Sequence, residues 1–201
     1  MLKKLTALIA LFAATSMLTA CGDSDDNPEP ETHTAADGAQ FNDADAEFAT
    51  NMIQHHAQAL QMVDLTMGRE LDPEVQRPAE SIRMAQTPEI EQMADWLTAW
   101  DQPIPETVRD HANAHGDGSM EMGSDLPGMM TAEEMAELQA AEGDEFQQLW
   151  LEMMIEHHEG AIEMAQIEQS DGKFATAIEL ADAIESCQQD EITTMKDLLK
   201  S

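Results

Sequence analysis

The 201-residue sequence predicts an all-α protein, a bundle of four main helices made by duplicating a two-helix unit. The first observation behind this is a repeat at an offset of 102 residues: residues 51–62 read NMIQHHAQALQM and residues 153–164 read MMIEHHEGAIEM. Met, Ile, His, His, Ala and Met coincide in the two stretches. Further along, Ala79, Ile82, Gln86, Glu89, Ile90, Met93 and Leu97 recur as Ala181, Ile184, Gln188, Glu191, Ile192, Met195 and Leu199. Thirteen ungapped identities mark an internal duplication. Second, each copy holds two helix-like segments joined by a short turn, which favours antiparallel pairs. Third, the chain has no Tyr, three Trp and five Phe, so Leu, Ile, Met and Ala must supply the core, and a sheet is not expected.

The elements follow in order. Residues 1–20 read as an export signal: a short basic start, then an uncharged run from Leu5 to Ala20 that is too short to span a bilayer, where about 20 apolar residues are needed. Leu18-Thr19-Ala20-Cys21 resembles a bacterial lipobox, which would make Cys21 the lipid-modified first residue of the mature chain; the alternative is an ordinary secretory peptide. Residues 21–40 are acidic and without apolar periodicity, and read as a flexible tether in which His33 is incidental. The first repeat covers residues 41–102. Asn42 caps a helix over Asp43–Met67, with Asp45 reaching back, and Gly68 ends it. Its second helix starts at Pro73 and ends near Trp100; Pro78 and Pro88 predict a restart or kink. Residues 103–130 form a connector. The second repeat, residues 131–200, opens on the capping box Thr131-Ala132-Glu133-Glu134, followed by a short helix to Ala141, a long one over Asp144–Gln169 and a last one over Lys173–Leu199.

The net charge of −32 repels phosphate backbones and argues against nucleic-acid binding. The two cysteines make no disulfide framework; with Cys21 assigned to the lipobox, Cys187 reads as a buried small hydrophobe, with a soft-metal ligand or reactive thiol as the alternative. The sequence holds no glycine-rich phosphate loop, no G-x-S-x-G and no H-E-x-x-H.

The histidines carry the chemistry. On a helix, Met52, His55, Ala59 and Met62 fall within roughly 80° of one another, one stripe on one face. Met154, His157, Ala161 and Met164 repeat that stripe, while His56 and His158 flank it. Imidazoles with thioethers suit Cu(I), or Ag(I) as its mimic. Zinc sites make little use of thioethers. A di-iron carboxylate site needs Glu-x-x-His, but Met52, Ile53, Met154 and Ile155 stand three residues before the four histidines. Glu156 and Glu159 flank the second pair, yet Gln54 and Ala57 stand there in the first, so these acids lie outside the repeated pattern. Methionine at helical spacing is ordinarily core filler, and buried histidines can be purely structural. The connector adds His111, His115, Met120 and Met122, followed by Met129 and Met130, either as a soft-metal arm or as a loop folded over the bundle end.

Both His-His motifs, the Gln-x-x-Glu-Ile-x-x-Met segments beginning at Gln86 and Gln188, Trp96-Leu97 and Pro127-Gly128-Met129-Met130 together resemble the DUF305 family of exported bacterial proteins, over roughly residues 41–200. The resemblance implies a ferritin-like helical bundle and, for some members, a role in envelope copper handling. Carried over, it points to His55, His56, His157, His158 and their bracketing methionines. Pro88, with Asp190 at the matching position, and Gln147, where the family pattern often has aspartate, depart from it.

The expectation is therefore a lipid-anchored envelope protein that binds copper, Cu(I) foremost, and sequesters it or passes it to a transfer partner by ligand exchange, without catalysis. A structural or protein-interaction bundle is the alternative; a metal-dependent oxidoreductase ranks below both.

Overall fold

A computed structural model describes residues 31–109 and 126–200. The export signal, Cys21, His111, His115, Met120 and Met122 lie outside them. Strands β1 (Thr32–Thr34) and β2 (Gln40–Asn42) precede helices α1 (Asp43–Asp64), α2 (Pro73–Ala99), α3 (Ala132–Ala140), α4 (Gly143–Asp171) and α5 (Ala175–Leu198). The described domain is all-α apart from the small hairpin.

Both capping boxes form. Asn42 accepts from the Asp45 amide while the Asp45 carboxylate accepts from the Asn42 amide, and Thr131 and Glu134 do the same for α3. The turn after α1 ends at Gly68, whose φ of +78° favours glycine. Helix α2 runs through both internal prolines without restarting. Pro88 removes the donor for the Met84 carbonyl, but Met84 is 78% exposed, so water can take that bond.

The long helices pair, α1 with α2 and α4 with α5, and the pairs meet chiefly through α1 and α4, with α2 touching α5. Helices α1 and α4 run antiparallel. At one end Asn42 Nδ2 donates to the Asp171 carbonyl at 2.8 Å, and the Lys173 and Phe174 amides donate to Asp45 at 2.9 and 2.8 Å. At the other end Trp150 Nε1 donates to the Met62 carbonyl at 3.0 Å. The core separates into two apolar clusters along this crossing, one holding Met52, Ala161 and Met164 and the other holding Ala59, Met62 and Met154. The histidine pairs occupy the level between them in sequence on both helices.

Two further expectations change. The aperiodic stretch reaching residue 40 instead forms an antiparallel hairpin from Thr32, with His33 opposite Phe41. The Asp37-Gly38 turn and the β-branched Thr32 and Thr34 favour it locally. Packing then anchors it: Phe41 stacks on Trp100 with ring centres 4.5 Å apart, and His33 Nε2 pairs with Asp43 at 2.8 Å, so His33 is not incidental. Cys187 is exposed rather than buried, because it sits beside the inward stripe of Ile184, Gln188 and Ile192.

Candidate metal centre

His55, His56, His157 and His158 are all fully buried. The stripes of α1 and α4 face each other, and the His55 and His157 rings meet with centres 3.7 Å apart, inclined at 41°. His56 and His158 turn aside to the second helix of their own repeat. His56 Nε2 lies 2.8 Å from Glu89 on α2, and His158 Nε2 lies 2.8 Å from Glu191 on α5. The offset of 33 residues is the same in both pairs. They therefore flank the His55–His157 contact, each tied to a carboxylate.

These hydrogen bonds fix ring chemistry. The Pro127 carbonyl can only accept, so His55 Nε2, 3.0 Å away, donates and Nδ1 keeps its lone pair. A carboxylate acceptor at Nε2 likewise leaves Nδ1 of His56 and His158 as the lone-pair nitrogen whenever those rings are neutral. Nδ1 of all four rings and Nε2 of His157 have no hydrogen-bond partner. Burial, then the neighbouring His56, pushes the His55 pKa down to about 3; burial, then His55, holds His157 well below the ordinary imidazole value. Both rings are thus neutral in ordinary buffers, the form that ligates metals. Buried polar atoms are rarely left unpaired, so five unpartnered ring nitrogens in one layer call for an explanation.

The end of the connector closes over this layer. The Pro127-Gly128 backbone lies on α4 at Gly160, where a Cβ would overlap the Pro127 carbonyl. Gly128, at φ +70°, would place a Cβ 2.5 Å from the Glu156 carbonyl. On the α1 side, Gln58 clamps Met130 by two bonds, accepting from its amide at 2.7 Å and donating to its carbonyl at 2.8 Å. Gln58 and Gly160 are the same position in the two repeats, one holding the connector and the other making room for it.

The sequence matches the family described as a domain of unknown function, DUF305, over residues 45–199. The chain belongs to the DUF305 family. A DUF305 protein from Streptomyces coelicolor described as secreted shares 32% identity, with 78% of this chain and 92% of that chain covered and a TM-score of 0.67. A DUF305 fragment from Deinococcus radiodurans shares 27% identity over 84% of this chain and 99% of its own, with a TM-score of 0.66. CopM in its Cu(II)-bound form shares 25% identity over 78% of this chain and 95% of its own, with a TM-score of 0.62. A comparison with curated proteins finds no match. Among the described residues, no helix is long and apolar enough to cross a membrane.

In this DUF305 chain the bracketing methionines lie in the two apolar clusters, Met52 with Met164 and Met62 with Met154. Among the described residues, no three His, Cys, Asp or Glu side chains converge as a ready-made metal polyhedron. The histidines are thus gathered in one buried layer, with His55 and His157 in contact, without forming a closed site of their own. Four participants escape notice as site residues in sequence: Glu89 and Glu191, visible only as repeated positions, and Gln58 and Gly160, which differ between the copies. Gln86 and Gln188 are a further repeated pair, buried with their amide oxygens unpartnered.

Proposed function

We propose that this DUF305 protein is a lipid-anchored envelope protein that binds a soft metal ion, Cu(I) foremost, on the duplicated His–Met faces of a ferritin-like four-helix bundle, and sequesters it or hands it to a transfer partner. One observation carries the reading: a buried layer of four imidazoles in which five ring nitrogens lack partners. Lone-pair nitrogens of neutral rings beside methionine thioethers are soft and intermediate donors with no proton to displace, which suits Cu(I). The copper-bound CopM supports the same direction. Met52, Met62, Met154 and Met164 complete the donor set. His55 and His157, already in face contact, would swing apart to take an ion between them.

Glu89 and Glu191 act behind the ligands, holding His56 and His158 in one tautomer and orientation. Cys21 supplies the lipid anchor at the membrane. His111, His115, Met120 and Met122 are further soft-metal donors of the sequence that collect the ion or pass it on. Binding and exchange, not bond-making catalysis, is the activity. A charge of −32 supports a protein that meets cations and not nucleic acid.

A second reading, a bundle whose histidines only pack, draws on the absence of three convergent ligands among the described residues. Titration of the mature domain with Cu(I) against a competing chelator separates the two. The metal reading requires affinity above that of a His55→Ala/His157→Ala variant; equal affinity sinks it.

A further inference from the structure

The histidine contacts set the register of the long helices, and the register sets what lies on either side of them. Helices α1 and α2 are joined through His56 and Glu89, and α4 and α5 through His158 and Glu191. One turn before His56 stands Met52, and one turn beyond Glu89 stands Met93, so antiparallel packing brings the two methionines together. Met154 and Met195 stand in the same relation on α4 and α5. Helices α1 and α4 keep their own register through the His55–His157 contact and the Trp150 Nε1 bond to the Met62 carbonyl. Ala161 of α4 and Gln188 of α5 therefore lie level with Met52 and Met93. On the other side of the histidines, Ala59 of α1 and Gln86 of α2 lie level with Met154 and Met195.

The packing agrees: Met52, Met93 and Ala161 share one apolar cluster, and Met154, Met195 and Ala59 share the other. The histidines thus lie between two layers of one composition, two thioethers, one methyl and one carboxamide. All eight residues are at most 3% exposed. Thioethers alone would be ordinary core. The carboxamides are not, because a leucine would fill either position without a polar atom. Both copies keep Gln, and Oε1 of Gln86 and of Gln188 lacks a hydrogen-bond partner. An orphaned amide oxygen beside two thioethers is a set of uncharged lone-pair donors. It offers nothing to an anion. It favours a soft monovalent cation over a divalent one, whose second charge would be buried uncompensated.

We propose that each layer is a soft-cation site of its own, Met52, Met93 and Gln188 Oε1 in one and Met154, Met195 and Gln86 Oε1 in the other, so that the chain holds a monovalent ion on either side of the His55–His157 contact. This rests on the metal-binding reading above and adds to it Met93, Met195, Gln86 and Gln188, which lie outside the His–Met motifs. His55 is one turn from Met52 on the same face of α1, and His157 one turn from Met154 on α4. The imidazoles are therefore the point of exchange between the two layers.

Ag(I), which stands in for Cu(I) without redox chemistry, tests this when titrated into the mature protein, with bound ions counted by native mass spectrometry and methionine methyl groups followed by NMR. The methyl signals of Met52, Met93, Met154 and Met195 should move as the ions bind, while that of Met84, 78% exposed, should stay in place. Met93→Leu should hold one ion fewer than wild type, and Met93→Leu/Met195→Leu two fewer; leucine keeps the core filled. Met84→Leu should hold as many as wild type. Gln86→Leu/Gln188→Leu should weaken binding in both layers about tenfold, the low end of what metal sites lose with one supporting group. It should cost the metal-free protein no stability, because it removes two orphaned oxygens. Full stoichiometry in Met93→Leu/Met195→Leu, or unchanged affinity in the glutamine variant, overturns the two layers and leaves the histidine reading standing. A wild-type protein that binds no Ag(I) overturns both.

Discussion

Glu168 shows how one carboxyl can report on its surroundings. Burial first, then Asp45 beside it and Asp171 beyond, pushes its pKa up to about 9. The folded protein therefore keeps a proton that the unfolded chain releases above its ordinary pKa of 4.5. Stability contributed by this site is complete below that value and falls as pH rises toward 9. Glu168→Gln, which is neutral at every pH, is expected to raise the melting temperature at pH 8.5 more than at pH 5; an equal gain at both would contradict the assignment. His55 has the opposite sign. With its pKa lowered to about 3, the unfolded chain takes up a proton below about 6.5 that the folded one refuses. The metal-free protein should lose stability between pH 6.5 and 3, and a His55→Leu/His157→Leu variant should lose less, as read by urea midpoints. Of these residues, sequence exposed the histidines because the duplication repeats them. It hid Glu168, whose counterpart is Thr66 and whose behaviour depends on contacts between α1 and α4.

Gly160 and Gln58 set the element-scale geometry, because they let Pro127, Gly128 and Met130 lie across α4 and α1 beside the histidines. Gly160→Ala would drive a methyl into the Pro127 carbonyl, and overpacking of this kind costs about 1–3 kcal/mol. Chemical denaturation should show that loss; an unchanged midpoint would contradict the close approach of the Pro127 carbonyl to Gly160. Helix starts were legible here: Asn42 with Asp45 and Thr131 with Glu134 are local capping chemistry, and both formed as read. The continuous α2 was not legible, since the tolerance of Pro88 depends on which face meets solvent. The β1–β2 hairpin was missed for a related reason: its stability comes from Phe41 stacking on Trp100, a contact about sixty residues away that no local pattern encodes. Cys187 was misplaced because a helical stripe fixes inward positions only to within part of a turn.

At the scale of the whole molecule, two helix pairs, α1 with α2 and α4 with α5, meet chiefly through α1 and α4, and the two ends of that crossing carry unlike side chains. The all-α class was readable from sequence. The unlike ends were not, because they lie in the positions where the two stretches differ, and those look like ordinary divergence until α1 and α4 are brought together. An ion bound only by the folded state should also stabilise it, by about 2.7 kcal/mol at a hundredfold excess over its Kd. Calorimetry with and without Cu(I) should show a rise in melting temperature that Zn(II) does not match. The most direct test remains Cu(I) affinity, measured by chelator competition on the mature domain and on its His55→Ala/His157→Ala variant. Tight binding by the wild type and a loss of at least tenfold in the variant is the predicted result. Indistinguishable affinities would show that the buried imidazoles only pack.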